Sequence, residues 1–295
     1  MGVLFSATVP VFLLAALGFF AQRVLRPDVP GYIRLVLYFF VPFLVFHQVA
    51  LAEGGRIALG RFLAAFALTY LLLYLGTVLI ARLLRLSRAA GRTLLAAALF
   101  PNSGNMGLSV ALFALGQAGL ERAVVYFLLA TVVLFGLGPA LFRGGGVLSG
   151  LWLTLRLPFF WALFVGMAFA ASGARLPLFL DRPVAMLAEA AIPMLLMGLG
   201  MQIAGTPFRL GGFELVASAV RLVGGPLAAA FAGRLFGLSG LDYAVLVLIS
   251  GMPVAVNAYM LAAEFGGDGA LAARAVAVST LLSFLSIPAV LLWVG

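Results

Sequence analysis

The chain has 295 residues, of which 65% are hydrophobic and only 9% charged, and its mean hydropathy is +1.22. A soluble domain carries about 25% charged residues, so this composition excludes one and predicts an all-α integral membrane protein. With no cysteine, one histidine and every one of its 18 basic residues an arginine, thiolate chemistry, cysteine or multi-histidine metal sites and lysine Schiff bases are excluded; no cofactor or metal is expected.

A helical span needs about 20 mostly apolar residues, and ten such windows fit the chain. The first half gives Val3–Ala21, Tyr32–Leu51, Phe62–Leu84, Thr93–Leu115 and Ala123–Phe142. The second gives Leu157–Ala171, Val184–Ile203, Phe213–Phe236, Tyr243–Ala263 and Leu271–Val294. The start lacks a basic leader region and is expected to be the first span rather than a cleaved signal. Short connections carry Gly, Pro and Arg, as in Arg26-Pro27-Asp28 and Gly266-Gly267-Asp268-Gly269. Ten spans place both termini on one side. The loops opposite the termini hold 11 arginines against 6 on the terminal side, with Arg221 inside a span. Basic residues in short loops mark the cytoplasmic face, so the chain is expected in the cytoplasmic membrane as a multi-pass protein with both termini outside. The net charge of +9 resides in those loops, where arginines set topology and touch headgroups. The expected partners are therefore the lipid bilayer and a small solute, not nucleic acid.

The two halves echo each other. Pro42 and Pro193 are 151 positions apart, Pro101 and Pro253 are 152 apart, Asn105 and Asn257 are 152 apart, and Pro139 and Pro288 are 149 apart. A repeat with an odd number of spans must enter the membrane inverted. The expected organisation is one five-helix repeat over residues 1–143 and a second, inverted one over 144–295. Corresponding Gly/Pro-interrupted spans in inverted repeats point to the binding site of a secondary transporter.

The interruptions read Phe100-Pro101-Asn102-Ser103-Gly104-Asn105-Met106-Gly107 in span 4 and Ser250-Gly251-Met252-Pro253-Val254-Ala255-Val256-Asn257 in span 9. Proline lacks the N–H a helix needs and clashes with the carbonyl four residues back. Backbone groups freed in hydrocarbon cost several kcal/mol unless protein or water satisfies them. Two broken helices near the midplane would present half-helix N-termini whose N–H groups and partial positive charge attract anions. Asn102, Asn105 and Asn257 add amide donors, and Ser103 and Ser109 add hydroxyls. No acidic residue lies in either break, which favours a carboxylate ligand over a cation. The repeat assigns Asn105 and Asn257 to capping the half-helices, which leaves Asn102 for the ligand.

Phe-Pro-Asn-x-Gly-x-Met-Gly from Phe100 to Gly107, and Pro253-Val254-Ala255-Val256-Asn257-Ala258-Tyr259 with Leu261, Ala262, Glu264 and Gly266-Gly267-Asp268, resemble the auxin efflux carrier family, bacterial permeases and plant PIN exporters among them. The resemblance covers essentially the whole chain. It implies a sodium/proton-exchanger-like fold of ten helices in two inverted repeats, with helices 4 and 9 crossing as broken helices. It also implies scaffold helices 1, 2, 6 and 7, transport helices 3–5 and 8–10, a homodimer, and efflux or exchange of small organic acids. The asparagine after the first proline, here Asn102, would help hold the substrate carboxylate. The plant family members carry a long loop between the halves, whereas here only Arg143 to Arg156 joins them, so auxin as substrate and plant-type phosphoregulation do not carry over.

The expected substrate-binding set is thus Pro101, Asn102, Ser103, Asn105, Pro253, Val254 and Asn257, with Gln48 and Gln202 as further candidates. Gln48, beside His47, and Gln202 either line the path or meet water at span ends. Glu189 is either proton-linked or interfacial. For Arg221, attraction of anions stands against snorkelling to the interface, the reading preferred here. Trp152, Trp161 and Trp293 read as interfacial anchors. The function expected is a non-enzymatic secondary transporter of small organic anions working by alternating access. A sodium- or proton-coupled symporter and a non-transporting membrane sensor are the alternatives.

Overall fold

The computed structural model describes residues 2–50, 57–137, 152, 154–174, 176–206, 208–256, 258, 262 and 266–294. Asn257, Tyr259, Leu261, Glu264 and Pro139 lie outside the described residues. Every described element is helical, and the described residues contain no strand beyond one isolated bridge, Pro101 with Val254. The helices are α1 (Gly2–Leu25), α2 (Val29–Ala50), α3 (Leu59–Leu83), α4 (Arg88–Leu99), α5 (Leu108–Val132), α6 (Pro158–Ser172), α7 (Leu178–Ala204), α8 (Gly212–Leu235), α9 (Gly240–Ser250) and α10 (Gly269–Val294). Seven described helical stretches are long and apolar enough to cross a membrane, and α6 and α9 are shorter apolar helices.

Local chemistry sets the boundaries. Asp28 caps α2 by accepting from the Gly31 N–H at 3.0 Å, and Ser87 caps α4 by accepting from the Ala90 N–H at 3.2 Å. Side-chain oxygens at these positions satisfy N–H groups that have no partner within the helix. Pro42 in α2 follows a π-helical turn, Val36–Phe40. The proline ring displaces the carbonyl four residues earlier, and widening the preceding turn accommodates it. Pro193 leaves α7 continuous, so Pro42 and Pro193 have different local outcomes. The stretch Ser103–Gly136 is helical over 34 residues, about 51 Å at 1.5 Å per residue and longer than a bilayer core of about 30 Å. It turns at Gly116, whose φ of 69° belongs to the left-handed region that glycine adopts without strain. The turn falls between predicted spans 4 and 5.

Packing sorts the helices into two groups. In one, α1 packs on α7, and α2 packs on both α6 and α7. Gly18 and Gly200 let the α1 and α7 backbones touch: a Cβ at Gly200 would overlap the Ala15 carbonyl, and one at Gly18 the Met197 carbonyl. Small residues at such crossings allow tight van der Waals contact in lipid, where no hydrophobic force joins helices. In the other group α3 packs on α4 and α8, α9 on α5, α8 and α10, and α10 on α4 and α8.

Two ion pairs lie inside this second group. Arg122 of α5 donates through Nε to Asp242 Oδ1 at 2.6 Å, and Asp242 Oδ2 accepts from the Ala58 N–H at 2.9 Å. Arg274 of α10 donates through Nε to Glu214 Oε1 of α8 at 2.6 Å. Arg122 and Arg274 are 152 positions apart, the offset already seen for Pro101 and Pro253.

Candidate functional site

The two breaks meet. The N–H of Asn102 donates to the Pro253 carbonyl at 2.8 Å, and the N–H of Ala255 donates to the Phe100 carbonyl at 2.9 Å. This is a one-rung antiparallel bridge in which each broken helix satisfies backbone groups the other has freed. In a bilayer no water would serve them. The second break is also tied to α10, because the Val254 N–H donates to Ser279 Oγ at 3.0 Å. Pro253 and Val254 therefore hold the crossing through their backbones.

On the far side of the first break the chain re-enters helix through a π-helical turn, Ser103–Gly107, in which the Gly107 N–H donates to the Asn102 carbonyl at 2.9 Å. Asn102 is the capping residue: its Oδ1 accepts from the Asn105 N–H at 3.2 Å. This corrects the expectation that Asn105 caps. The wide turn moves the cap to the residue directly after Pro101, and Asn105 supplies the N–H that is capped. Ser109, read as a ligand donor, instead gives its hydroxyl to the Asn105 carbonyl at 2.9 Å.

Asn102 is 4% exposed, and its Nδ2 is buried without a hydrogen-bond partner. A buried amide left unpaired costs roughly 1–3 kcal/mol, and Asn102 lines a cavity of about 80 Å³ where the two breaks meet. Pro101, Ser103, Gly104 and Asn105 from the first break share that cavity, with Ala255 and Val256 from the second and Gln202 from α7. Gln202 Oε1 is also buried without a partner. Phe127 supplies an aromatic wall, and Gly104 lets it close in, since a Cβ there would come within 3.2 Å of the ring. Ile33 and Leu37, near the start of α2, complete the lining with Gln202, near the end of α7. The cavity therefore lies toward the membrane face where α2 begins and α7 ends.

Gln48 is elsewhere. With His47, Gln117, Glu189 and Pro193 it lines a second cavity of about 250 Å³, toward the face where α2 ends. Glu189 is exposed in that setting. Of the nine predicted site residues, Pro101, Asn102, Ser103, Asn105 and Gln202 share the crossing cavity. Pro253 and Val254 form its backbone support, Gln48 belongs to the second cavity, and Asn257 is outside the described residues.

Arg221 does not snorkel. It is 0% exposed on a π-helical turn of α8, Val220–Gly224, and donates through Nη1 to the Ala98 carbonyl and through Nη2 to the Ser250 carbonyl. Those carbonyls belong to the last turns of α4 and α9, the two half-helices that run into the crossing. Carbonyls there have no partner within the helix, so a buried cation finds acceptors without reaching for the interface. Ser250 is gripped again by Tyr126, whose hydroxyl lies 3.0 Å from Ser250 Oγ. Sequence reading missed Tyr126, Phe127 and Ser279; the one available signal was an arginine in a span that holds only one acid, Glu214, at its start.

A family described as "Membrane transport protein" matches residues 3–146 and 147–291. A protein of Methanothermobacter thermautotrophicus named "Uncharacterized transporter" is 32% identical over 206 residues, covering 68% of this chain and 67% of the relative. A Rhizobium meliloti protein named "Putative malonate transporter" is 25% identical over 308 residues, covering 99% of this chain and 96% of the relative. An uncharacterized transporter of Methanocaldococcus jannaschii is 28% identical over 193 residues, 63% of each chain.

Proposed function

The chain belongs to the membrane transport protein family that includes the auxin efflux carriers, and from that premise we propose that it is a secondary transporter of small organic anions that binds its substrate at the crossing of the two breaks. One observation carries this reading: Asn102, whose amide nitrogen is buried and unpartnered, lines a cavity at the N-terminal end of a half-helix. An N–H₂ group and a helix N-terminus both seek negative charge, and neither break contains an acid to supply it.

Gln202 is the second amide in the cavity. Rotated by half a turn about its last side-chain bond it offers two N–H donors in place of its oxygen. Two amides in a small cavity suit a short acid with two polar ends, and the name borne by the Rhizobium meliloti relative makes malonate the first substrate to test. With the cell interior negative, an anion leaving the cell is favoured by about 2.3 kcal/mol per charge per 100 mV, so uniport or exchange needs no coupling ion.

The architecture proposed is ten spans in two inverted five-helix repeats, residues 1–143 and 144–295. Span 4 comprises α4 and the helix as far as Gly116, and span 9 begins with α9. The Arg122 and Arg274 match at the repeat offset supports it. So does the packing of α1, α2, α6 and α7 into one group, which would be the scaffold, and of α3–α5 and α8–α10 into the other, which would move. The cavity lies between these groups, where a moving body would carry it from one face to the other. The chain would sit in the cytoplasmic membrane with both termini outside, as a homodimer. Counterflow of labelled malonate into proteoliposomes, competed by a panel of short acids and their amides, tests the reading. Competition by acids and not by amides is expected, and equal competition by amides would refute it.

A further inference from the structure

The crossing holds one buried positive charge, and its placement concerns the selectivity of the site. Arg221 donates to Ala98, in the last turn of α4, and to Ser250, the last residue of α9. Each helix C-terminus carries about half a negative elementary charge, and each N-terminus about half a positive one. One guanidinium therefore cancels roughly what the two half-helix C-termini contribute together. The positive end that begins at Ser103, in the cavity, is capped only by the neutral Asn102 and has no carboxylate beside it among the described residues.

The described ion pairs engage Arg122 and Arg274; among the described residues the Arg221 guanidinium meets no carboxylate, and its Nε has no partner. A wholly buried cation without a counter-ion is costly. The clasp is nevertheless built into the packing: a Cβ at Gly225 would overlap both the Ser250 carbonyl and Arg221 Nη2, so glycine at that position is what lets α8 approach α9.

We infer that Arg221 is a specificity-determining residue of the crossing site, a positioning charge that never touches the substrate but, by neutralising the two C-terminal helix ends behind the breaks, makes the cavity in front of them select anions. An anionic substrate then serves as the counter-ion of the crossing. This rests on the reading of the cavity as an anion site, so its test must separate the two.

The test uses the whole protein in nanodiscs. Wild type, Arg221→Lys and Arg221→Gln are titrated with malonate and with malonamide, first at pH 7 and then from pH 6 to pH 10, and melting temperatures are recorded. Glutamine keeps a donor for the helix ends but no charge. Arg221→Gln is expected to lose about tenfold or more in malonate affinity and to lose the preference for malonate over malonamide. Arg221→Lys is expected to keep that preference at the acid end and lose it as pH rises, because a buried ammonium deprotonates where a guanidinium does not; wild type should keep it throughout. A folded Arg221→Gln variant that retains wild-type affinity and preference overturns the inference. So does an Arg221→Lys variant whose preference for malonate grows between pH 7 and pH 10, where loss of the ammonium charge can only weaken it, and this second comparison stands even if the glutamine variant does not fold. If the wild type prefers none of the C2 to C6 acids in a wider panel to their amides, the anion-site reading fails first and the inference with it. Failure confined to the variants removes the inference alone.

Discussion

Asn102 and Pro253 are 151 residues apart in sequence and joined by one hydrogen bond, the Asn102 N–H donating to the Pro253 carbonyl at 2.8 Å. The Asn102 side chain meanwhile caps the helix that follows, so this residue ties the two breaks together, starts the half-helix and lines the cavity. Two substitutions separate these duties. Asn102→Ala removes cap and donor together: stability should fall by about 0.5–2 kcal/mol, and anion affinity roughly ten- to a hundredfold, the worth of a hydrogen bond to a charged group. Asn102→Asp keeps an oxygen for the Asn105 N–H while placing a carboxylate in the cavity. Its melting temperature should stay near that of wild type while malonate binding disappears. Calorimetric titration and thermal unfolding of the two purified variants check both halves.

The glutamines provide a second comparison. Gln202 lines the crossing cavity and Gln48 does not. Gln202→Ala should weaken malonate binding by about 1.5–3 kcal/mol, as expected for one bond to a charged ligand, and Gln48→Ala should leave it unchanged. A titration in which the two variants weaken equally would place the ligand across both cavities.

How far the fold was legible in sequence differs by residue type. Span positions followed from hydropathy, and Pro101 marked its break because no neighbour can replace a missing N–H. The placement of the cap on Asn102 rather than Asn105 was not legible, since it depends on a π-helical turn that shifts the cap toward the proline. Arg221 was misread because its acceptors lie 123 and 29 residues away, and nothing local in α8 announces them. Gln48 and Gln202 were both candidates by residue type alone; that Gln202 lines the crossing cavity and Gln48 the second one depends on helix packing, which the local sequence does not show.

The buried pair of Arg122 and Asp242, with side chains 7% and 11% exposed, should be the costlier of the two ion pairs to break. Asp242→Ala strands a buried guanidinium and the Ala58 N–H, for an expected loss of about 3–5 kcal/mol. Glu214→Ala frees Arg274, whose side chain is 22% exposed and can reach water, so the loss should be smaller. Arg122→Met combined with Asp242→Leu should recover much of the first loss, because no charge is then left unpaired. Thermal unfolding of the three variants orders them.

Topology follows from the distribution of arginines. With 11 in loops on one side and 6 on the other, a reporter fused after residue 295 should lie outside the cytoplasm. Alkaline phosphatase in that position should be active and a fluorescent protein dark; the opposite pattern would reverse the orientation.

The central claim is that an organic anion crosses the membrane by way of the Asn102 cavity, and transient current from proteoliposomes on a solid-supported membrane tests it most directly. Jumps in malonate concentration should produce a current in wild type whose sign reports negative charge entering the vesicles. Malonamide should produce none, and Asn102→Asp should be silent with a normal melting temperature. A malonate current of undiminished size in folded Asn102→Asp, or neither a current nor counterflow in wild type with malonate or any other short acid in the panel, would contradict the account.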